Sequence, residues 1–291
     1  MLDDPAAWQH RIFVMISPDC LVRGLTRAVL DRLAGIGLRP DGWRLTRVTP
    51  HRIDRMSELQ QVTAARVHRY RALDALFALG PALMVSLRDE QERPAEVSYA
   101  AAKALKGDAD PAHALPGSIR HDLGAINTVL NLVHISDSPA EAAAECATLL
   151  GTDPCLFSDA ELDQLLDLLA SWPPETRGFA DVLGAVRGRL IAAIWGDVTE
   201  PARERTMDLI RDGVLGEPTS GKALADVLLG QRIRPAEAGE VIAWPFDGTV
   251  PRPDMDTVTR VLAWHGLALD PWEQAVLTTS AVFPPDTTRN R

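Results

Sequence analysis

The stretch Asn131-Leu-Val-His134-Ile-Ser136-Asp137-Ser138 reads as a short apolar strand carrying one histidine, followed at once by a polar helix cap. It lies shortly after Pro116-Gly-Ser-Ile-Arg120, so a histidine, an amide, an arginine and a carboxylate fall close together in sequence. These are the parts of a phosphoryl-transfer site. Neutral imidazole is a good nucleophile near neutral pH, and a phosphorylated imidazole stays reactive enough to pass its group onward. One ring nitrogen must then be held as acceptor while a partner fixes the other. A lone histidine on a strand is more often a satisfied core residue; here its neighbours favour chemistry.

The elements around this stretch alternate. Arg11–Ile16 is a compact apolar run ended by Ser17-Pro18-Asp19, and 22–36 has helical spacing that stops at Gly35 and Gly37. Residues 43–48 alternate as a half-buried strand does. Residues 50–79 read as helical with a weak middle, 82–87 as a strand, 94–106 as a helix, 130–135 as a strand and 139–150 as a helix. The order β-α-β-α-β-α-β-α predicts an α+β, ferredoxin-like core with added helices.

Gly151-Thr-Asp-Pro154 reads as a boundary, giving a first domain over 1–152 and a mostly α-helical C-terminal domain over 156–285. Apolar periodicity there predicts helices over 159–172, 179–195, 201–214, 222–229, 256–265 and 271–282, with Ser158 and Glu161 as a capping box before the first. Five of the seven tryptophans fall in this part and read as packing anchors.

The chain has 291 residues and a net charge of −10, distributed unevenly. Residues 1–152 carry 17 basic and 18 acidic side chains, against 13 and 22 over 153–291, so neither half suits nucleic acid. Cys20, Cys146 and Cys155 lack metal-type spacing. No apolar run reaches the roughly 20 residues that span a bilayer, and the N-terminal segment lacks signal-peptide features. A cytoplasmic protein without membrane or nucleic-acid partners is expected.

The order and spacing of several segments resemble the nucleoside diphosphate kinase family over about residues 10–150. They are Phe13 to Cys20 with Arg23-Gly-Leu25, Gly80 to Val85, Asp110-Pro111, Pro116 to Asp122, Asn131 to Ser138 and Ala142 to Glu145. The resemblance implies a kinase-type ferredoxin-like domain that moves the ATP γ-phosphate through a phosphohistidine at His134. Glu145 would orient the ring with support from Ser136. Lys103, Arg120, Asn131 and Ser17 would face the nucleotide and its phosphates. Mg²⁺ would arrive with ATP, with Asp137 near it through water, and the protein would form a homo-oligomer.

Departures from the family pattern fall around the same site. Ser17 replaces a lysine that contacts the transferring phosphate, Ala109 replaces a threonine, and Ile135 replaces the glycine after the histidine. The base-stacking aromatic has no clear match, with Tyr70 and Phe77 as candidates. A non-catalytic protein that keeps the fold and binds nucleotide or a partner is the alternative. Elsewhere, Gly216 to Ala223 nearly matches a phosphate-binding loop but reads better as a turn between helices. Arg66, His68, Arg69 and Arg71 read as a solvated basic face.

Overall fold

Strand β1, Arg11–Ile16, is buried along nearly its whole length because it lies inside a four-stranded sheet. The computed structural model describes residues 4–59, 67–150, 161–171, 176–244 and 255–285. With β2 (Leu38–Thr46), β3 (Ala82–Asp89) and β4 (Val133–Ile135), the sheet order is β2-β3-β1-β4, and every neighbouring pair is antiparallel. That is the ferredoxin-like arrangement expected from the alternating elements. The apolar runs of β1 and β3 are the two inner strands; Leu83, Met84, Val85 and Leu87 have no accessible surface. Trp8 closes the end of this core with its ring edge-on to Phe13 at 5.8 Å.

Eight helices accompany the sheet among the described residues up to 171. They are α1 (Pro18–Val22), α2 (Thr26–Gly35), α3 (Pro50–Leu59), α4 (Val67–Ala78), α5 (Ala95–Lys106), α6 (Ile119–Asp122), α7 (Pro139–Leu150) and α8 (Leu162–Ala170). The helix expected over 22–36 starts only at Thr26, because Gly24 takes a left-handed φ of 66° between α1 and α2. β2 begins five residues earlier than its alternation suggested, with an irregularity between Pro40 and Gly42 that hides the period. β4 is shorter than expected, because the backbone turns at Leu132.

The chain divides into two compact units, Met1–Thr176 and Arg177–Arg291, and α8 belongs to the first. Gly151 to Pro154 and Ser158 lie outside the described residues. The second unit contains α9 (Phe179–Ala193), α10 (Glu200–Arg211), α11 (Gly221–Leu228), α12 (Glu237–Ala243), α13 (Met255–Trp264) and α14 (Pro271–Val282). Of these, α12 has no counterpart in the apolar periodicity. Gly216 to Ala223 forms two short 3₁₀ turns leading into α11, as read from sequence. Trp244 and Trp272 are buried, whereas Trp264 is 68% exposed and anchors nothing among the described residues.

Candidate active site

The site is built on the turn that leads into β4. Leu132 has φ of +76°, unusual for a residue with a β-carbon, and Val133 N–H closes a three-residue turn onto Asn131 O at 2.9 Å. The β1–α1 corner holds this turn from both sides. Ser17 N–H donates to Leu132 O at 3.0 Å, and Leu132 N–H donates to Asp19 Oδ2 at 3.1 Å. Asp19 is fully buried, and among the described residues its Oδ1 accepts no hydrogen bond of good geometry. Burial pushes its carboxyl up to about 6, against the opposing pull of Arg23 and the Leu132 N–H.

His134 leaves this turn on β4 opposite Met15 of β1, so the two side chains share a face of the sheet. From α7, Glu145 Oε2 meets His134 Nε2 at 2.8 Å and accepts the Ser136 hydroxyl at 2.5 Å. α7 brings Glu145 to this position because Ala142, Glu145, Cys146 and Leu149 form its buried stripe. Burial alone would raise the Glu145 carboxyl, but the His134 and Ser136 hydrogen bonds and the nearby charge of Lys106 outweigh it and hold it below the ordinary range. An ionised Glu145 can only accept, so Nε2 carries the hydrogen and Nδ1 keeps its lone pair. Among the described residues Nδ1 has no partner.

His134 lines a cavity of about 290 Å³, near the small end of ligand sites at about 300–1,000 Å³. Ser17, Ala109, Arg120, Thr128 and Asn131 give it a partly polar wall. Met56, Leu73, Leu76 and Phe77 from α3 and α4 give it an apolar one. Phe77 thus borders the site, while the side chains of Arg66, His68, Arg69, Tyr70 and Arg71 lie outside the described residues. Thr128 was not singled out in the sequence; it lies in an irregular segment with no periodic signal.

The expected phosphate contacts divide into two groups. Ser17, Arg120 and Asn131 border the cavity with His134, but Lys103 does not. Arg120 is buried, and its guanidinium donates to three backbone oxygens: Asn131 at 3.3 Å, Gly107 at 3.0 Å and Val133 at 2.7 Å. Burial pushes it down to about 10, so it remains a cation at neutral pH. Asn131 spends its amide N–H on Thr128 O at 2.6 Å. Lys103 is exposed and pairs with Asp137 Oδ2 at 2.9 Å. Asp137 Oδ1 faces Lys106 at 3.4 Å, so lysines occupy both oxygens that were expected to face metal-bound water.

Lys106 went unrecognised in the sequence, although it ends the buried stripe of α5 (Ala95, Ser98, Tyr99, Ala102, Lys106). A lysine on such a stripe is the signal that could have found it. Its ammonium donates to Ile135 O at 2.9 Å. Ile135 itself is buried beside Val14 and does not border the cavity, so its bulk leaves the pocket unchanged.

No group of three or more His, Cys, Asp or Glu side chains is placed to hold a metal among the described residues. Asp137, the carboxylate expected near an ion, is held by Lys103 and Lys106, so an ion carried in on phosphates, which needs few protein ligands, is what these donors would fit.

A family profile described as Nucleoside diphosphate kinase matches residues 10–154. A nucleoside diphosphate kinase of Streptomyces avermitilis is 36% identical over 138 residues, covering 47% of this chain and 92% of the relative. One from Herpetosiphon aurantiacus is 30% identical over 159 residues, covering 53% and 97%. The chain belongs to the nucleoside diphosphate kinase family. The membership rests on its N-terminal half; residues 155–291 lie beyond the match. A solved structure of a nucleoside diphosphate kinase family protein from Babesia bovis aligns with a TM-score of 0.42 at 24% identity, covering 51% of this chain and 93% of that one. No helix among the described residues is long and apolar enough to cross a membrane.

Proposed function

We propose that this chain is a divergent nucleoside diphosphate kinase-like phosphotransferase. ATP with Mg²⁺ phosphorylates His134, and the phosphohistidine is discharged to a nucleoside diphosphate or related acceptor. The observation that carries this reading is the Glu145–His134 pair at the cavity wall, which leaves Nδ1 as the nucleophilic nitrogen. The Nδ1 lone pair attacks the γ-phosphorus in line, the bond to the bridging oxygen breaks, and ADP leaves with that electron pair. Positive charge then grows on the ring, while Nε2–H stays on Glu145. In the second half-reaction a terminal phosphate oxygen of the acceptor attacks, the N–P bond breaks, and Nδ1 recovers its pair. The kinetics are ping-pong.

Ser17, Arg120 and Asn131 support the reading as the polar groups beside His134 that would meet phosphate or ribose. Magnesium would reduce the charge of the phosphates it arrives with. The same proposal treats 1–152 as the kinase-like domain and 156–285 as a helical domain that assembles a homo-oligomer or recruits a partner. It also takes the cytoplasm as the working compartment.

One observation favours a second reading, a non-catalytic nucleotide-binding or interaction protein. Arg120 is the lone cation among the described residues bordering the cavity, and three carbonyls already engage it. Incubation with Mg²⁺ and γ-labelled ATP separates the two. Acid-labile label on the wild type and none on His134→Ala is the expected result; nucleotide binding without label on the wild type would replace the first reading with the second.

A further inference from the structure

We propose that Lys106 is a positioning residue for the His134 ring, acting through the segment Ile135–Asp137 and Glu145. The argument starts from where the ammonium lies. Lys106 is one of few buried cations in the first unit, and it reaches no nucleotide-facing wall. Its hydrogen-bond partners are Ile135 O at 2.9 Å and Asp137 Oδ1 at 3.4 Å, the residues on either side of Ser136. Ser136 in turn donates to Glu145 Oε2 at 2.5 Å, and the same oxygen meets His134 Nε2 at 2.8 Å. The contacts therefore run without a gap from Lys106 to the reacting ring.

The energetics point the same way. A lysine is kept inside a protein only where hydrogen bonds and an opposite charge offset its lost hydration, and here both come from the segment after His134. β4 pairs with β1 at three positions, Val14↔Ile135, Met15↔His134 and Ile16↔Val133, and beyond Ile135 the backbone is tied to β1 by one further bond, Ser136 N–H to Phe13 O at 3.2 Å. From α5, Lys106 adds a second hold, on Ile135 O and on the Asp137 side chain. Its charge also acts on Glu145, together with the ring of His134, and helps keep that carboxylate ionised. An ionised Glu145 is what selects the Nε2–H tautomer and frees Nδ1.

The inference rests on the phosphohistidine reading for its kinetic consequence but not for its structural one, and the test separates the two. ¹⁵N-histidine NMR of the full chain, with the His134 signals assigned by their loss in His134→Gln, reads the tautomer directly and without turnover. Wild type is expected to show the Nε2–H form. Lys106→Met is expected to show a mixture of tautomers. Where labelling from γ-labelled ATP occurs, its maximal rate should fall by about tenfold or more with the nucleotide KM unchanged. Lys106→Gln keeps a donor but is shorter and uncharged; it is expected to fall the same way and serves if the methionine variant does not fold. A folded Lys106 variant with wild-type tautomer and wild-type labelling rate overturns the proposal. The expected tautomer change in a protein that takes no label supports the positioning role and overturns only the catalytic reading.

Discussion

Asp19 on α1 and Leu132, two residues ahead of His134, are joined by a 3.1 Å hydrogen bond from the Leu132 N–H to a carboxylate oxygen that no water reaches. The left-handed φ of Leu132 is costly for a leucine, and it persists because Ser17 and Asp19 hold both of its peptide groups. The strand that carries His134 is thus set by the corner that follows β1, 113 residues away in sequence.

This buried acid makes stability depend on pH. The Asp19 carboxyl titrates at about 6 in the folded chain, above its ordinary value of 3.8. Between those values the folded state holds a proton that the unfolded chain has lost, so stability falls as pH rises through this window. The stabilisation by the neutral form is complete below pH 4 and absent above pH 6. Asp19→Asn removes the titration. The stability of the variant relative to wild type should therefore improve by about 2 kcal/mol between pH 4 and pH 7. Urea unfolding at the two pH values measures it, and a difference that stays flat with pH would refute the assignment.

Glu145 should matter to rate and not to binding, because it meets His134 from behind and does not border the cavity. Glu145→Gln keeps an oxygen for Nε2–H but loses the charge that stabilises the ring as it becomes cationic. On the proposed mechanism, phosphohistidine formation slows roughly 10- to 150-fold, the value of one charge-assisted contact. Nucleotide affinity by calorimetry stays within about twofold of wild type. A variant that binds weakly but reacts at the normal rate would place Glu145 at the wrong face of the ring.

Much of this was legible in sequence, for definable reasons. The buried inner strands β1 and β3 announce themselves as apolar runs, and a family resemblance carried by ordered segments points to His134, Glu145 and Ser136, of which the structure brings His134 and Ser136 each within hydrogen-bond reach of Glu145. What could not be read was the use made of each charge. Arg120 has the fork that suits phosphate, yet its donors serve backbone oxygens, and carbonyl orientation leaves no mark on composition. Lys103 and Asp137 were assigned separate partners, although they lie against each other 34 residues apart. The Leu132 turn was missed because leucine gives no signal for a left-handed φ; that conformation is imposed by tertiary contacts.

Restoring a lysine at position 17 tests whether the family's phosphate contact is what the site lacks. Ser17 borders the cavity beside His134 and begins α1 without a side-chain capping bond, so its hydroxyl gives up nothing there. Ser17→Lys should raise the rate of phosphohistidine formation by about tenfold on the proposed mechanism, the low end for a charge-assisted contact. Rapid-quench labelling gives the number. A rate that does not rise in a folded variant would mean that the acceptor or the geometry, not the missing charge, sets the reaction.

The second unit offers a prediction independent of the first. Arg187 on α9 is almost wholly buried and has no carboxylate partner among the described residues; its guanidinium donates to the backbone oxygens of Leu215, Glu217, Ile242 and Trp244 at 2.7–2.9 Å. It therefore ties the turns before α11 to the end of α12, and burial pushes it down to about 10. Gly221 is part of the same packing, since a β-carbon there would stand 2.2 Å from Ala243 O and 2.8 Å from the Arg187 guanidinium. Arg187→Met fills similar volume but takes a donor from the buried oxygens of Ile242 and Trp244 and from the part-buried Leu215 oxygen, while the Glu217 oxygen keeps the Ser220 hydroxyl at 2.7 Å, at about 1–3 kcal/mol for each oxygen that cannot relax. The expected loss is at least about 3 kcal/mol, and it should be confined to this unit. Hydrogen exchange read segment by segment in the full chain checks it: protection should fall across α11 and α12 while β1 and β3 keep theirs. A uniform loss in both units, or none, would show that Arg187 does not hold this unit together.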